Sequence, residues 1–387
     1  MRNVMSDNED TESFLYHSAD DLKPVETFHG IMSFDPSDGP VGRSLFSYHE
    51  WARLEIEFVL AFITPGCVVL DVGANIGTHT LAFARAVGRQ GTVFSFEPQN
   101  FICNVLEENV KRNGLTNVQV FRKGVSATKG KAYLASDENA SRIVNSGSVQ
   151  LVVEDTTKAG DVVEVISIDS LKLEECALIK IDVEGLEVAV LAGATDLIHD
   201  KRPVVIAECN SVIAGIHLVR AALEWDDYSL HLLATRAFNA GNVASNVINI
   251  FPGAWETSIL FVPEEQVNRL PAEQDGVRVW RIESVEAFSE VFVDSFESSL
   301  SEAISIMHSD LDSAHQDVER LRVTQQELRV TQQEIVELRG QLGATRVELE
   351  EATRVIMETQ VALSEVLGST SWRVTLPLRK MKGIMRG

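Results

Sequence analysis

Between about residue 44 and residue 263, short apolar runs alternate with longer amphipathic stretches. "CVVLDVG", "TVFSFEP", "NVQVFRKGV", "ALIKIDVEG" and "PVVIAEC" have the length and β-branched content of buried strands, and each ends at or just beyond Gly, Pro or an acid. Residues 99–113, 184–195 and 211–224 repeat apolar positions with helical spacing. Strands that alternate with helices in this way predict an α/β domain built on a doubly wound parallel sheet. The alternation fails over 130–168, where "KAYLAS", "SVQLVVED" and "DVVEVIS" follow one another without a helix, and an antiparallel insertion is expected there. "YSLHLLA" and "TSILFVP" are again strands with no long helix between them, so a hairpin is expected to close the sheet with an antiparallel edge strand. The polar residues 1–43 read as a flexible leader, and the domain as 44–270.

The pattern changes after Pro271. No proline occurs from 272 to 376, and every seventh position from Leu300 through Met307, Ala314, Leu321, Leu328, Ile335, Leu342, Leu349 and Ile356 to Leu363 is apolar. The companion positions begin apolar at Ile304, Leu311 and Val318, then turn polar from Gln325 to Gln360. A helix packed on its own domain drifts off a strict period of seven, whereas a supercoil keeps it, so 296–368 is predicted to be a coiled coil that makes a homo-oligomer. At 1.5 Å per residue the rod would be roughly 100 Å long. Residues 271–295 are left as a connector, and 369–387 as a basic amphipathic tail carrying Trp372, Arg373, Arg379, Lys380, Lys382 and Arg386 without an acid.

Charge narrows the possibilities. A net charge of −23 argues against nucleic acid as partner, which requires a basic face. The four cysteines are scattered and suit buried free thiols in a reducing compartment. No secretory signal and no membrane-spanning apolar run is seen, so a cytoplasmic protein is expected, with residues 371–387 touching an anionic membrane surface at its inner face.

The turn after the first strand holds the chemistry. "VVLDVGANIGTHTLAFARAVG" (68–88) has a strand–loop–helix shape but not the G-x-G-x-x-G of a pyrophosphate-binding turn; its glycines, Gly73 and Gly77, are four apart with Asn75 between. Asp71 before the turn is a poor neighbour for phosphate and a good one for an ammonium. Glu97, at the end of the next strand, is placed to reach two ribose hydroxyls. An amino acid, a ribose and no phosphate together describe S-adenosylmethionine.

With "VFSFEPQ", "NGLTNVQV", "SIDSL" and "LIKIDVEGLEVAVLAGA" in the same order and spacing, the region from about Leu45 to Pro263 is similar to the FkbM-type S-adenosylmethionine-dependent methyltransferases. The resemblance implies a class I methyltransferase fold, a Rossmann-like seven-stranded sheet with an antiparallel last strand, and methyl transfer to a hydroxyl oxygen. It also implies that Asp71, Gly73, Asn75 and Gly77 line the methionine end of the cofactor, Glu97 the ribose, Gly124 and Val125 the adenine, and that Tyr48 and Glu50 close over it.

Asp182, Glu184 and Glu208 end two further strands and are expected to converge where ligands bind in such sheets. One of them serves as a general base, or else Asp182, Glu208 and Asn210 hold a divalent ion such as Mg²⁺ that acidifies the hydroxyl; the sequence leaves both open. Asn239 and Asn242 lie in "RAFNAGNVASNVINIFPGAWE", which resembles an asparagine-containing segment in part of the same family; they are candidate substrate ligands or simple turn formers. His231 reads as structural. The tail wording "STSWRVTLPLR" resembles that of bacterial enzymes that build surface polysaccharides. The expected function is O-methylation of a surface glycan or its lipid-linked precursor, with a soluble small molecule, or an inactive scaffold, as alternatives.

Overall fold

The computed structural model describes residues 22–134, 151–153, 162–222 and 225–368; residues 1–21 of the expected leader and the basic tail 369–387 lie outside them. β1 (Pro24–Thr27) and β2 (Gly30–Ser33) pair as an antiparallel hairpin, followed by α1 (Gly39–Tyr48) and α2 (Arg53–Val59). Then come β3 (Val68–Val72), α3 (Thr78–Val87), β4 (Thr92–Phe96), α4 (Asn100–Arg112) and β5 (Val118–Phe121). Short strands β6 (Gly124–Val125), β7 (Gly130–Leu134), β8 (Leu151–Val153) and β9 (Val162–Ile166) precede β10 (Leu178–Ile181), α5 (Glu187–Ala192), α6 (Thr195–Lys201), β11 (Val204–Glu208) and α7 (Val212–Ala222). β12 (Tyr228–Arg236), β13 (Trp255–Pro263), β14 (Val277–Ile282) and α8 (Val285–Gly368) complete the order.

The main sheet has eight strands in the order β14-β12-β13-β11-β10-β3-β4-β5. β11, β10, β3, β4 and β5 run parallel, and their near-continuous apolar character follows from burial on both faces. β6, β7, β8 and β9 form a separate sheet of order β6-β9-β7-β8, in which β7 is antiparallel to both β8 and β9, as the missing helix there foretells.

Four boundaries differ from the sequence reading. Residues 22–43 are not a leader: Leu22, Met32 and Phe34 are buried with Leu106 and Val110 of α4, and Asn109 Oδ1 accepts from the Ser33 N–H at 2.7 Å. β13 is not an edge strand; it inserts antiparallel between β11 and β12. The expected connector supplies β14, an eighth strand on β12, and the start of α8, whose Phe288 and Phe292 are buried in the same core as Leu218 of α7. The helix expected over 184–195 is two short ones, α5 and α6, separated at Gly193, which approaches Ser126 so closely that a Cβ would lie 2.2 Å from its carbonyl oxygen.

Met307 ends one compact unit and His308 begins the next. In the second, the heptad residues Leu321, Leu328, Ile335, Leu342, Leu349 and Ile356 are all exposed in the single chain. Among the described residues, no helix is long and apolar enough to cross a membrane.

One polar contact crosses the middle of the sheet. Lys180 points out of an otherwise apolar β10 and is only 5% exposed. Its Nζ donates to the Gly73 carbonyl at 3.1 Å and to Asp182 Oδ2 at 3.0 Å, and lies 3.8 Å from Oδ1 of the fully buried Asp71. Burial alone would lower the Lys180 pKa, but the charges of Asp182 and Asp71 outweigh it and raise it. Lys180→Met keeps the apolar stem and deletes the charge, leaving Asp71 buried without a counter-ion. The expected loss is about 3–5 kcal/mol of unfolding free energy in a urea titration. A loss below about 1 kcal/mol would mean that the hydroxyl of Thr80, which donates to Asp71, suffices by itself.

Candidate active site

The carboxyl ends of β3, β4, β10 and β11 meet along one cleft. Two adjoining hollows share Gly73, Asn75, Asp182 and Glu184: one continues past Glu97, Gly124 and Val125, the other past Lys180, Glu208 and Glu256. The loop after β3 fits only because Gly73 has no side chain: at φ +80° a Cβ would lie 1.7 Å from the Asp182 carbonyl oxygen. Asn75 and Glu184 are non-glycine residues held at φ +47° and +51°, and both line the cleft. Left-handed backbone at such residues persists only where the surroundings over-determine it, as they often do at functional sites.

At one end Glu97 is almost fully buried, with Oε2 accepting from the Asn75 N–H at 3.0 Å and Oε1 from the Gln99 N–H at 2.9 Å. Burial pushes its pKa up to about 7 although both backbone donors favour the charged form. The other end holds a group of acids. Burial works against the charge of Asp182, but Lys180 and the neighbouring Glu208 carboxyl outweigh it and hold its pKa low. Burial, and then Asp182, push Glu208 up to about 10, so the pair keeps a proton on Glu208. Glu184 rises to about 7 through burial and the charges of Asp182 and Glu187. Glu256 rises to about 7 through burial and the charges of Glu55, Asp182 and Glu184. Glu187 Oε1 accepts from the Gly185 N–H at 2.9 Å and so holds the turn that precedes α5.

Of the residues singled out by sequence, Gly73, Asn75, Glu97, Gly124, Val125, Asp182, Glu184 and Glu208 line the cleft. Asp71 does not: it is fully buried beneath the turn, taken up by Lys180 and Thr80. Gly77 is the left-handed residue before α3, packed against Leu106. Tyr48 and Glu50 grip the 236–256 loop instead of closing over the cleft. The Tyr48 hydroxyl donates to the Ile248 carbonyl at 2.8 Å and accepts from the Ile250 N–H at 2.7 Å. Glu50 accepts from the Asn239 amide at 2.9 Å and the Val243 N–H at 3.1 Å. Asn239 and Asn242 are spent on that loop as well, Asn242 bridging the carbonyls of Asn239 and Asn246. Their amides serve as turn formers.

Asp182 is neutralised by Lys180, Asn210 is exposed and outside both hollows, and among the described residues no group of three or more His, Cys, Asp or Glu is arranged to hold a metal. His231 is buried and bonded to Ser229, a structural place. Cys103, Cys176 and Cys209 are buried free thiols, and Cys67 is partly exposed.

Four functional side chains escaped notice in the sequence. Lys180 and Glu256 line the acid-rich end, and so do Glu55 and His79, whose Oε1 and Nε2 are 3.0 Å apart. A lysine inside "LIKI" and a glutamate on the apolar face of "RLEIEFV" are conflicts of pattern that mark them in retrospect.

Residues 71–230 match the description "Methyltransferase FkbM domain". The chain is similar to the hexuronic acid methyltransferase AglP of Haloferax volcanii, 30% identical over 150 residues that cover 39% of this chain and 56% of that protein. It is also similar to the ribosomal protein L11 methyltransferase of Caldanaerobacter subterraneus, 29% identical over 85 residues, 22% of this chain and 27% of that one. The match thus spans little more than half of the first relative and about a quarter of the second. A solved FkbM methyltransferase of Methylobacillus flagellatus is similar at 16% identity over 59% of this chain and 56% of that one, with a TM-score of 0.35. The chain is thus similar to the FkbM-type methyltransferases over residues 71–230, the segment that supplies most of the cleft at the carboxyl ends of the parallel strands.

Proposed function

We propose that the protein is an S-adenosylmethionine-dependent O-methyltransferase acting on a hydroxyl of a glycan or its lipid-linked precursor. The observation that carries this is the division of one cleft into a hollow around a buried, backbone-bound carboxylate, Glu97, and a hollow walled by Asp182, Glu184, Glu208 and Glu256. The first suits a nucleoside: Glu97 is held rigidly for a ribose diol, and Gly73 leaves the backbone open to close approach. Asn75, Gly124 and Val125 complete that wall. S-adenosylmethionine supplies an electrophilic methyl group on a sulfonium, and the acids beyond Gly73 favour a cation. The hexuronic acid methyltransferase of Haloferax volcanii supports a sugar as acceptor.

On the protein's side, the acceptor oxygen must lose a proton as it gains carbon. Glu184 serves as the base, because a carboxyl held near neutral pH accepts a proton better than an ordinary one. Glu208 keeps its proton and orients Asp182; Lys180 fixes Asp182 from behind. The rest of the rate comes from holding the nucleophile in line.

Two outcomes test the two ends of the cleft. Glu97→Ala should weaken S-adenosylmethionine binding by about 1.5–3 kcal/mol per lost charge-assisted hydrogen bond, read by calorimetry; unchanged affinity in the folded variant would remove the cofactor from this hollow. Because Glu184 is protonated below its raised pKa, the base form grows as pH rises, so turnover should climb to a plateau with a midpoint near 7. Glu184→Gln should lower the plateau by about 10²–10⁴-fold and erase that limb. A pH profile identical to that of the parent would assign the proton to another group.

The exposed heptad face of α8 supports self-association as a parallel coiled coil, its polar companion positions from Gln325 to Gln360 fixing register. Residues 371–387 carry Arg373, Arg379, Lys380, Lys382 and Arg386 without an acid, and this basic character suits an anionic membrane surface at the cell's inner face. Changing Leu328, Ile335 and Leu342 together to Asp should convert the full-length chain to a monomer in sedimentation without loss of cofactor binding. A parent that already sediments as a monomer would overturn the coiled-coil reading.

A further inference from the structure

A second, larger cavity of about 940 Å³ adjoins the acid-rich end of the cleft and shares Glu208, Glu256 and Thr257 with it. Strand register explains its floor. Arg236 pairs with Trp255, Ala234 pairs with both Thr257 and Arg278, and Leu232 pairs with Trp280. Directly paired residues on antiparallel strands project to the same face, and the side-chain period of two keeps 232, 234 and 236 on that face. Two guanidinium groups and two indoles are thereby set around the small Ala234, which leaves a hollow between them. The Arg236 guanidinium lies over the Trp255 ring at 5.2 Å, which orients it. The first turns of α8, from Val291 to Ser295, form the opposite wall.

We infer that this cavity seats the acceptor, and that the acceptor is a sugar bearing an anionic group, its ring against the indoles of Trp255 and Trp280 and its charge at Arg236 and Arg278. The inference rests on the methyltransferase reading above and adds to it the place and the chemical class of the substrate. Sugar rings present apolar C–H faces that aromatic side chains cover, and guanidinium forks match carboxylate or phosphate oxygens. The volume, at the upper end of the range of ligand sites, is enough for more than one sugar ring. Continuity with the cleft matters most: a ring held on Ala234 has its nearest hydroxyls toward Glu208 and Glu256, the wall the two hollows share. Three acids border the cavity: Glu208, Glu256 and, at the α8 rim, Asp294. Glu208 is kept protonated and Glu256 close to neutrality, so the shared wall does not repel an anion. Arg278 and Trp280 lie on β14, beyond residues 71–230, so the recognition element is an addition to the matched domain.

The test uses the full-length protein and saturation-transfer NMR with three probes: methyl glucuronoside, glucose 1-phosphate and methyl glucoside. Binding of an anionic sugar at least about tenfold tighter than the neutral one is expected, as for a charge-assisted contact. Which of the two anionic probes binds tighter identifies carboxylate or phosphate. Arg278→Gln, at an exposed position that does not threaten the fold, should erase that preference, and Trp280→Ala should weaken all three sugars. S-adenosylmethionine affinity should stay within about twofold in both variants, as sites without shared partners are independent. Equal binding of neutral and anionic sugars, or a preference that survives Arg278→Gln, overturns the inference while leaving the methyltransferase reading intact. A parent protein that fails to bind S-adenosylmethionine defeats that reading instead.

Discussion

The architecture of the site depends on one buried ammonium. Lys180 reaches from β10 toward the end of β3, where it meets a backbone carbonyl and two carboxylates. Without it, the fully buried Asp71 would face a desolvation cost of several kcal/mol. With it, the loop after β3 is tied to the loop after β10 at Gly73, the position whose closeness to Asp182 forbids any side chain. The cleft lies over that tie, so its floor is set by an electrostatic contact inside the sheet.

The same contact sorts the acids above it. A group of carboxylates in one partly desolvated space cannot all ionise, and the proximity of Lys180 decides which one does. Asp182 takes the charge, Glu208 keeps the proton, and Glu184 and Glu256 are left near neutrality. A surface with one fixed negative charge and several adjustable ones suits a reaction that joins a cation to a hydroxyl about to lose its proton. The acids distant from Lys180 retain the freedom to exchange protons.

Around this centre, segments far apart in sequence do supporting work. The hairpin β1–β2 is fastened to α4 through Asn109 and Asn113, and α1 carries Tyr48 to the 236–256 loop. Glu50 neutralises Arg53 and orders the backbone of that loop at Asn239 and Val243. The loop is therefore fixed from outside the cleft, and its asparagines are used up in holding shape. β14 and the first turns of α8 then wall the wider cavity beside it.

The sequence by itself determined the parallel strands, the break in alternation over 130–168, the heptad helix and the carboxylates at the ends of β4, β10 and β11. Each is a local consequence of side-chain period, or of a residue's position at the end of an apolar run, and so can be read in one dimension. It also contained the signs of Lys180 and Glu55, as charged residues in the wrong phase, without saying what they meet. Only the tertiary structure decided the fate of Asp71, Tyr48, Glu50, Asn239 and Asn242. A polar side chain near a ligand-binding turn serves the ligand or the fold according to which neighbour arrives first, and for Asp71 and Tyr48 those neighbours come from 9 to 202 residues away. The structure likewise decided that residues 22–43 and 277–282 belong to the domain, because a short amphipathic segment becomes part of a core only when a partner surface exists to cover it. Lys180 shows both sides of this: its burial was legible in "LIKI", but the charge it balances was not, since Asp71 lies on another strand.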